Sequence, residues 1–197
     1  MKTIKPTLLA IMLLFIGTIN QSQAQISLGL NLGVGIPTGD MADVSKGGLS
    51  TGFGGELQGR YHVNDNFAFG LNIGYYNWGI SATVPTGLTF KFTTLPVMGV
   101  VDFYLKRDGF RPFTGVELGY CNWTATVSGS IASLPVDISN TGSGIAFAPF
   151  FGGAYPISDN LDLFGKLKYF FAVTENSSNG ASNLSYFALN VGASLKF

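Results

Sequence analysis

The chain ends in Phe187-Ala188-Leu189-Asn190-Val191-Gly192-Ala193-Ser194-Leu195-Lys196-Phe197, where every odd-numbered residue is apolar and the even-numbered ones are small, polar or charged. A period of two is the β signal, because successive side chains of a strand point to opposite faces. The stretch Ile26–Ile36 repeats it, with Ile26, Leu28, Leu30, Leu32, Val34 and Ile36 set against Ser27, Gly29, Asn31, Gly33 and Gly35. One or two such strands fit a soluble sheet. The pattern recurs in eight runs, at roughly 26–36, 51–63, 67–78, 89–105, 111–124, 143–157, 161–173 and 185–197. Each is long enough to cross a bilayer as a tilted strand, which takes about 9–11 residues. That predicts an all-β protein, an eight-stranded antiparallel transmembrane barrel with an up-and-down meander, apolar outside and polar within.

The phase of each run assigns its faces. Phe53, Leu57, Phe69, Leu71, Ile73, Val97, Val101, Val116, Leu118, Phe147, Phe151, Leu163, Leu167 and Tyr169 fall on the lipid face, and no charge joins them. The opposite parity holds Glu56, Arg60, His62, Asp102, Arg111, Glu117, Asp162, Lys166, Lys168 and Lys196. Four acids thus meet five bases in a lumen that eight strands can fill with side chains. Buried charges must pair or pay a desolvation penalty of several kcal/mol each. The set therefore reads as a structural polar network, with Asn31, Gln58, Asn72 and Asn190 as its neutral members. Glu56, Glu117, Lys166 and Lys168 lie at similar heights, so at least one acid is expected to neutralise the lysine pair, with the other acid pairing elsewhere. Pro96, Pro112 and Pro149 interrupt strand runs and are expected at bulges or strand starts.

The connections alternate. Asn64-Asp65-Asn66, Lys106-Arg107-Asp108-Gly109 and Ser158-Asp159-Asn160 are tight turns built from residues that tolerate turn backbone. Longer stretches at 37–50, 79–88, 125–142 and 174–184, rich in Gly, Ser, Thr and Asn, read as loops at the other end. Tyr61-His62-Val63-Asn64-Asp65-Asn66-Phe67-Ala68-Phe69 matches Tyr155-Pro156-Ile157-Ser158-Asp159-Asn160-Leu161-Asp162-Leu163, so one hairpin recipe is used twice.

Residues 1–24 read differently. Lys2 and Lys5 precede a short apolar core, Leu8–Ile16, and Ser22-Gln23-Ala24 forms a small-x-small site before Gln25. These are the parts of a secretory signal peptide cleaved between Ala24 and Gln25, leaving 25–197 as the barrel domain. Removing Lys2 and Lys5 leaves 9 basic and 11 acidic residues, a formal charge of −2, which gives no attraction to nucleic acid. The single cysteine, Cys121, excludes a disulfide-stapled domain. His62 is the only histidine and lies beside a tight turn, so no catalytic residue, metal ligand or cofactor site is assigned, and no enzyme is expected.

The chain resembles the small eight-stranded outer-membrane barrels of the OmpA/OmpX-like group, and especially the outer membrane β-barrel (porin-family) proteins of Bacteroidota. The resemblance rests on Arg111-Pro112-Phe113-Thr114-Gly115-Val116-Glu117-Leu118-Gly119-Tyr120, on the Tyr155–Leu163 hairpin, and on the terminal strand ending in Phe197. It implies an outer-membrane location with both termini and the tight turns periplasmic. It also implies outer-membrane lipid as a partner, assembly through the insertion machinery with Phe197 as the insertion signal, and a monomer. The role this suggests is structural or interactive, through four exterior loops whose composition names no partner. A narrow porin-like channel for small solutes is the alternative, and a soluble lipocalin-like ligand-binding barrel a more distant one. The mature protein is expected to begin at Gln25, which N-terminal sequencing and intact mass of membrane-extracted protein would establish.

Overall fold

The computed structural model describes residues 26–197 apart from 44, 46–47, 82–86, 107, 132–133 and 177–179. The expected signal segment and its cleavage site, Ala24 and Gln25, lie outside the described residues. Eight strands follow one another: β1 (Ile26–Thr38), β2 (Leu49–His62), β3 (Phe67–Ile80), β4 (Leu88–Tyr104), β5 (Arg111–Ile131), β6 (Leu134–Ser158), β7 (Leu161–Asn176) and β8 (Gly180–Lys196). Each pairs antiparallel with its neighbours, and β1 pairs with β8, so the sheet closes into an up-and-down barrel. A short 3-10 turn, Gly39–Met41, packs near β8.

Burial alternates with the period of two. Along β3 every second residue from Ala68 to Trp78 turns inward, while Phe69, Leu71, Ile73 and Tyr75 are exposed on the outer wall. No residue assigned to the lipid face is buried. Among the described residues, no charge points outward between the tight turns and Lys91, which is exposed high on β4. The uncharged band below it suits the roughly 25 Å apolar belt of a membrane barrel.

The tight turns form one rim. Asn64 caps the first, its Oδ1 accepting the amides of Asn66 and Phe67, each at 2.9 Å. Gly109 adopts φ +63° in the second, a left-handed conformation that glycine reaches without Cβ strain. The repeated hairpin sequence has a structural counterpart. Asn66 accepts the Tyr104 amide at 2.7 Å and donates from Nδ2 to the Tyr104 carbonyl at 2.9 Å. Asn160 does the same to Lys196, at 2.8 and 3.1 Å. Each equivalent asparagine thus fastens its turn to the end of the following hairpin's strand.

Three expectations are corrected. First, the stretches 125–142 and 174–184 are strand over most of their length: β5 and β6 pair continuously to Ile131 and Leu134, and β7 and β8 to Asn176 and Gly180. Their Ser, Thr and Gly content resembled loop, but Val127 lies opposite Ile138, and Thr126 opposite Ser139 with their hydroxyls 3.5 Å apart, so cross-strand pairs carry the ladder past the barrel. The 37–50 and 79–88 stretches likewise yield their ends to strands, at Thr38, Leu49, Ile80 and Leu88. Second, Pro112 stands at a strand start, yet Pro96 and Pro149 shift no register: the β3–β4 pairing lapses at Gly74 and Tyr75 and the β6–β7 pairing at Ala148 and Pro149, and each resumes in phase. The register shifts lie between Leu49 and Gly52 and between Pro156 and Ser158. Pro96 turns inward, and its ring reaches within 2.9 Å of where a Cβ on Gly74 would stand, so a glycine on β3 makes room for it.

Third, the inward face is not small and polar throughout. It carries Tyr76, Trp78, Phe92, Trp123, Phe170 and Tyr186 towards the rim opposite the tight turns, and Phe113, Phe150 and Phe164 nearer to them. Above Lys91 the polarity of the wall inverts. On the β4–β5–β6 extension the outer face becomes Thr89, Lys91, Thr126, Ser128, Asp137 and Ser139, and the inner face Leu88, Phe90, Val127, Leu134, Val136 and Ile138. Lipid solvates the first pattern and water the second, so the inversion marks where the barrel leaves the apolar belt. Leu118 and Ser128 share a strand and a face across that boundary. Leu118→Arg is expected to destabilise by about 2–4 kcal/mol and Ser128→Arg by about 0–1 kcal/mol, read by urea unfolding in liposomes.

Candidate functional site: the charged lumen

Barrel closure turns the inward residues of β2, β5 and β7 towards one another. Glu56 from β2, Glu117 from β5, and Lys166 and Lys168 from β7 meet at the centre, all fully buried. Lys166 Nζ lies 2.8 Å from Glu56 Oε2 and 3.0 Å from Glu117 Oε1. Lys168 Nζ contacts Glu56 Oε1 and lies 3.1 Å from Glu117 Oε2. Both acids therefore bridge both lysines, in place of the single neutralising acid that the sequence suggests. The neutral groups complete the centre. Asn72 Nδ2 donates to Glu117 at 2.6 Å, Asn31 Nδ2 reaches Glu56 at 3.5 Å, and the Tyr76 hydroxyl lies 3.1 Å from Glu56 and donates to Asn190 Oδ1 at 2.8 Å.

Two further layers lie towards the tight turns. Arg60 binds Asp102 through Nε, and its Nη atoms donate to Asn72 Oδ1 at 3.1 Å and Gln58 Oε1 at 3.3 Å. Asn72 thereby links Arg60 to the central four. Asp162 sits between Arg111, which it contacts directly, and Lys196 at 2.8 Å. The Arg111 guanidinium also stands 5.7 Å from the Tyr104 ring centre, a cation–π distance. His62 lies half-buried, 3.2 Å from the Ser27 hydroxyl and 5.7 Å from the Tyr104 ring. All ten charged or titratable lumen residues from the sequence thus fall inside the barrel, and Asn72 joins the central four to the Arg60–Asp102 pair. Phe197 stands exposed at the end of β8, its amide donating to the Ile26 carbonyl at 2.8 Å.

The aromatic lid over the central layer was missed by the sequence reading. Tyr186 stacks on Phe170 at 4.6 Å and takes the edge of Trp78 at 4.7 Å, while Trp123 stacks on Phe92 at 5.8 Å. These residues share the parity of the charges, and that was the available signal. Glycines admit the indoles: a Cβ on Gly52 or Gly35 would stand 2.5 Å from the Trp78 ring, and one on Gly142 equally close to Trp123. On the turn side, Ser27, Gln58, Arg60, His62, Asp102 and Lys166 help to line a cavity of about 30 Å³, room for about two waters. Cys121 is buried as a free thiol in the aromatic cluster.

The model of the outer membrane protein beta-barrel domain matches residues 7–197. The chain belongs to that family. Its location is accordingly the outer membrane. No curated protein matches the chain in sequence. Among solved structures it is similar to Neisserial surface protein A, at 17% identity and a TM-score of 0.63, covering 87% of this chain and 97% of that one. Ail, the attachment invasion locus protein of Yersinia pestis, is similar at 14% identity and 0.58, covering 88% and 99%. The outer membrane protein OprG from Pseudomonas aeruginosa aligns at 12% and 0.60, covering 88% and 96%. At such identities the likeness is one of fold.

The central four should behave as a unit. Glu117→Gln or Lys166→Met alone leaves a buried charge uncompensated and is expected to cost about 3–5 kcal/mol. The double variant should cost less than the sum of the two, measured as a double-mutant cycle by urea unfolding in liposomes; additive losses would mean that the groups are separately hydrated.

Proposed function

We propose that this outer-membrane barrel is a closed scaffold, with a structural or surface-interaction role carried by the rim opposite the tight turns. The observation that carries the reading is the lumen itself. Glu56, Glu117, Lys166 and Lys168 join across the barrel, and the Trp78–Phe170–Tyr186 cluster lies over them. Matched charges that satisfy one another leave little free field to conduct an ion, and stacked rings exclude the water that would hydrate it. The ten charged or titratable residues are, in this reading, parts of a plug rather than of a catalytic or transport site. His62 meets a serine hydroxyl and an aromatic ring, a setting suited to packing.

The same reading takes residues 1–24 as a cleaved signal, both termini and the tight turns as periplasmic, and the protein as a monomer inserted through recognition of Phe197. The β4–β5–β6 extension then stands outside the cell, with the wall polarity expected of a segment in water. A narrow channel is the second reading, favoured by the charged cavity on the turn side. Planar-bilayer recordings on purified protein separate the two. The wild type is expected to stay near background, and large discrete single-channel currents would favour the pore.

A further inference from the structure

Among the described residues, the β5–β6 hairpin has an open side. β6 pairs with β5 along its whole length, but β7 joins it only from Ser143, opposite Glu175. Among the described residues, no strand pairs with Leu134–Gly142 on that side. The ladder fixes which backbone groups face outward there. Ser130 donates its amide to Gly87 and Leu105 donates to Pro112, so the even residues of β5 turn their backbone to β4. The odd ones therefore bond β6, and the unbroken register pairs them with even residues of β6. The odd residues of β6 consequently present the open edge: the carbonyls of Pro135, Asp137, Ser139 and Thr141, and the amides of the last three.

We propose that Leu134–Gly142 is a docking edge for an extended segment of a partner protein, apolar at alternate residues and basic opposite Asp137. The proposal rests on the surface-interaction reading above and names the partner's chemistry. An added strand would continue both faces of the sheet. Opposite Val136 and Ile138 its side chains would extend the apolar inner face, on which Leu134 and Ile138 are 70% and 63% exposed. Opposite Asp137, also exposed, a lysine or arginine would complete a cross-strand ion pair.

A second copy does not fit. Two barrels inserted the same way in one membrane would bring their β6 edges together pointing in the same direction and at the same height. Like backbone groups would then meet where the ladder needs a donor against an acceptor. The two Asp137 carboxylates would also approach each other. Backbone pairing along a row of amides selects an extended peptide over a compact ligand.

The test uses the full mature protein in detergent micelles and a labelled seven-residue peptide. The peptide alternates threonine and valine, with lysine at the position facing Asp137; a twin carries glutamate there. Ser139→Pro removes one open-edge amide while leaving every β5–β6 bond in place, and Ser139→Ala keeps that amide. Folding of each variant is checked by heat-modifiable migration. Saturable binding of the lysine peptide, weakened by about tenfold or more in Ser139→Pro and preserved in Ser139→Ala, is the expected result. Asp137→Lys should invert the preference towards the glutamate peptide. Binding that ignores Ser139→Pro, or no saturable binding of either peptide, overturns the proposal. So does sedimentation that finds a wild-type dimer and a monomeric Ser139→Pro, because the occupant would then be a second copy. Lumen conductance is a separate measurement, so a failed edge and a failed plug are told apart.

Discussion

Twelve residue pairs between Ser27–Thr38 and Ser185–Lys196 join the first strand to the last. Without them both strands would offer rows of unpaired amides and carbonyls to hydrocarbon, where each unsatisfied group costs several kcal/mol. That closure also creates the interior. It brings β2, β5 and β7 to face one another across the lumen, so that residues remote in sequence, such as Glu56 and Lys168, come into contact. The outer wall is left to satisfy lipid through side chains alone, and Leu71, Val101 and Leu118 do so.

The interior then has its own requirement. A charge removed from water needs partners on every side, and the lumen supplies them in layers: two acids against two lysines, then Arg60 with Asp102, then Asp162 between Arg111 and Lys196. Asn72 matters beyond its size because it bonds both Glu117 and Arg60, so the upper two layers share one network. Aromatic side chains separate and cover the charged layers, with Phe113 and Phe164 between the central four and the Asp162 group, and the Trp78 group on the far side. A charge pair strengthens as the dielectric around it falls, and the rings help to keep it low.

Much of this was legible from residues alone, since a strand places side chains by parity and lipid forbids charge on one parity. The face of each residue, including the inward direction of Glu117 and Lys166, follows from counting by twos, and the order of the strands from the alternation of tight turns and longer connections. Three things did not. Strand length was hidden because Thr, Ser and Gly serve equally in loops and in water-exposed strands, as at Thr124–Ser130. The prolines misled because a glycine on the opposing strand, Gly74, accommodates Pro96 without a bulge. The aromatic lid went unseen because Trp78 and Phe170 are inward by phase yet apolar by type, and only the facing glycines show the space kept for them. Which acid meets which lysine depends on barrel circumference, which no single strand encodes.

The two asparagine clamps, Asn66 on the end of β4 and Asn160 on the end of β8, bear on that circumference. The width of a barrel follows from its strand number and from the stagger accumulated around the wall. Each clamp fixes one increment of stagger, because sliding the adjoining strand by a residue would break a backbone bond and a side-chain bond together. Set roughly half a turn apart in strand order, they act as calipers. The gap they hold is the one across which lysine Nζ and glutamate Oε atoms reach each other, so a pair of surface turns gauges the bore at the centre of the membrane.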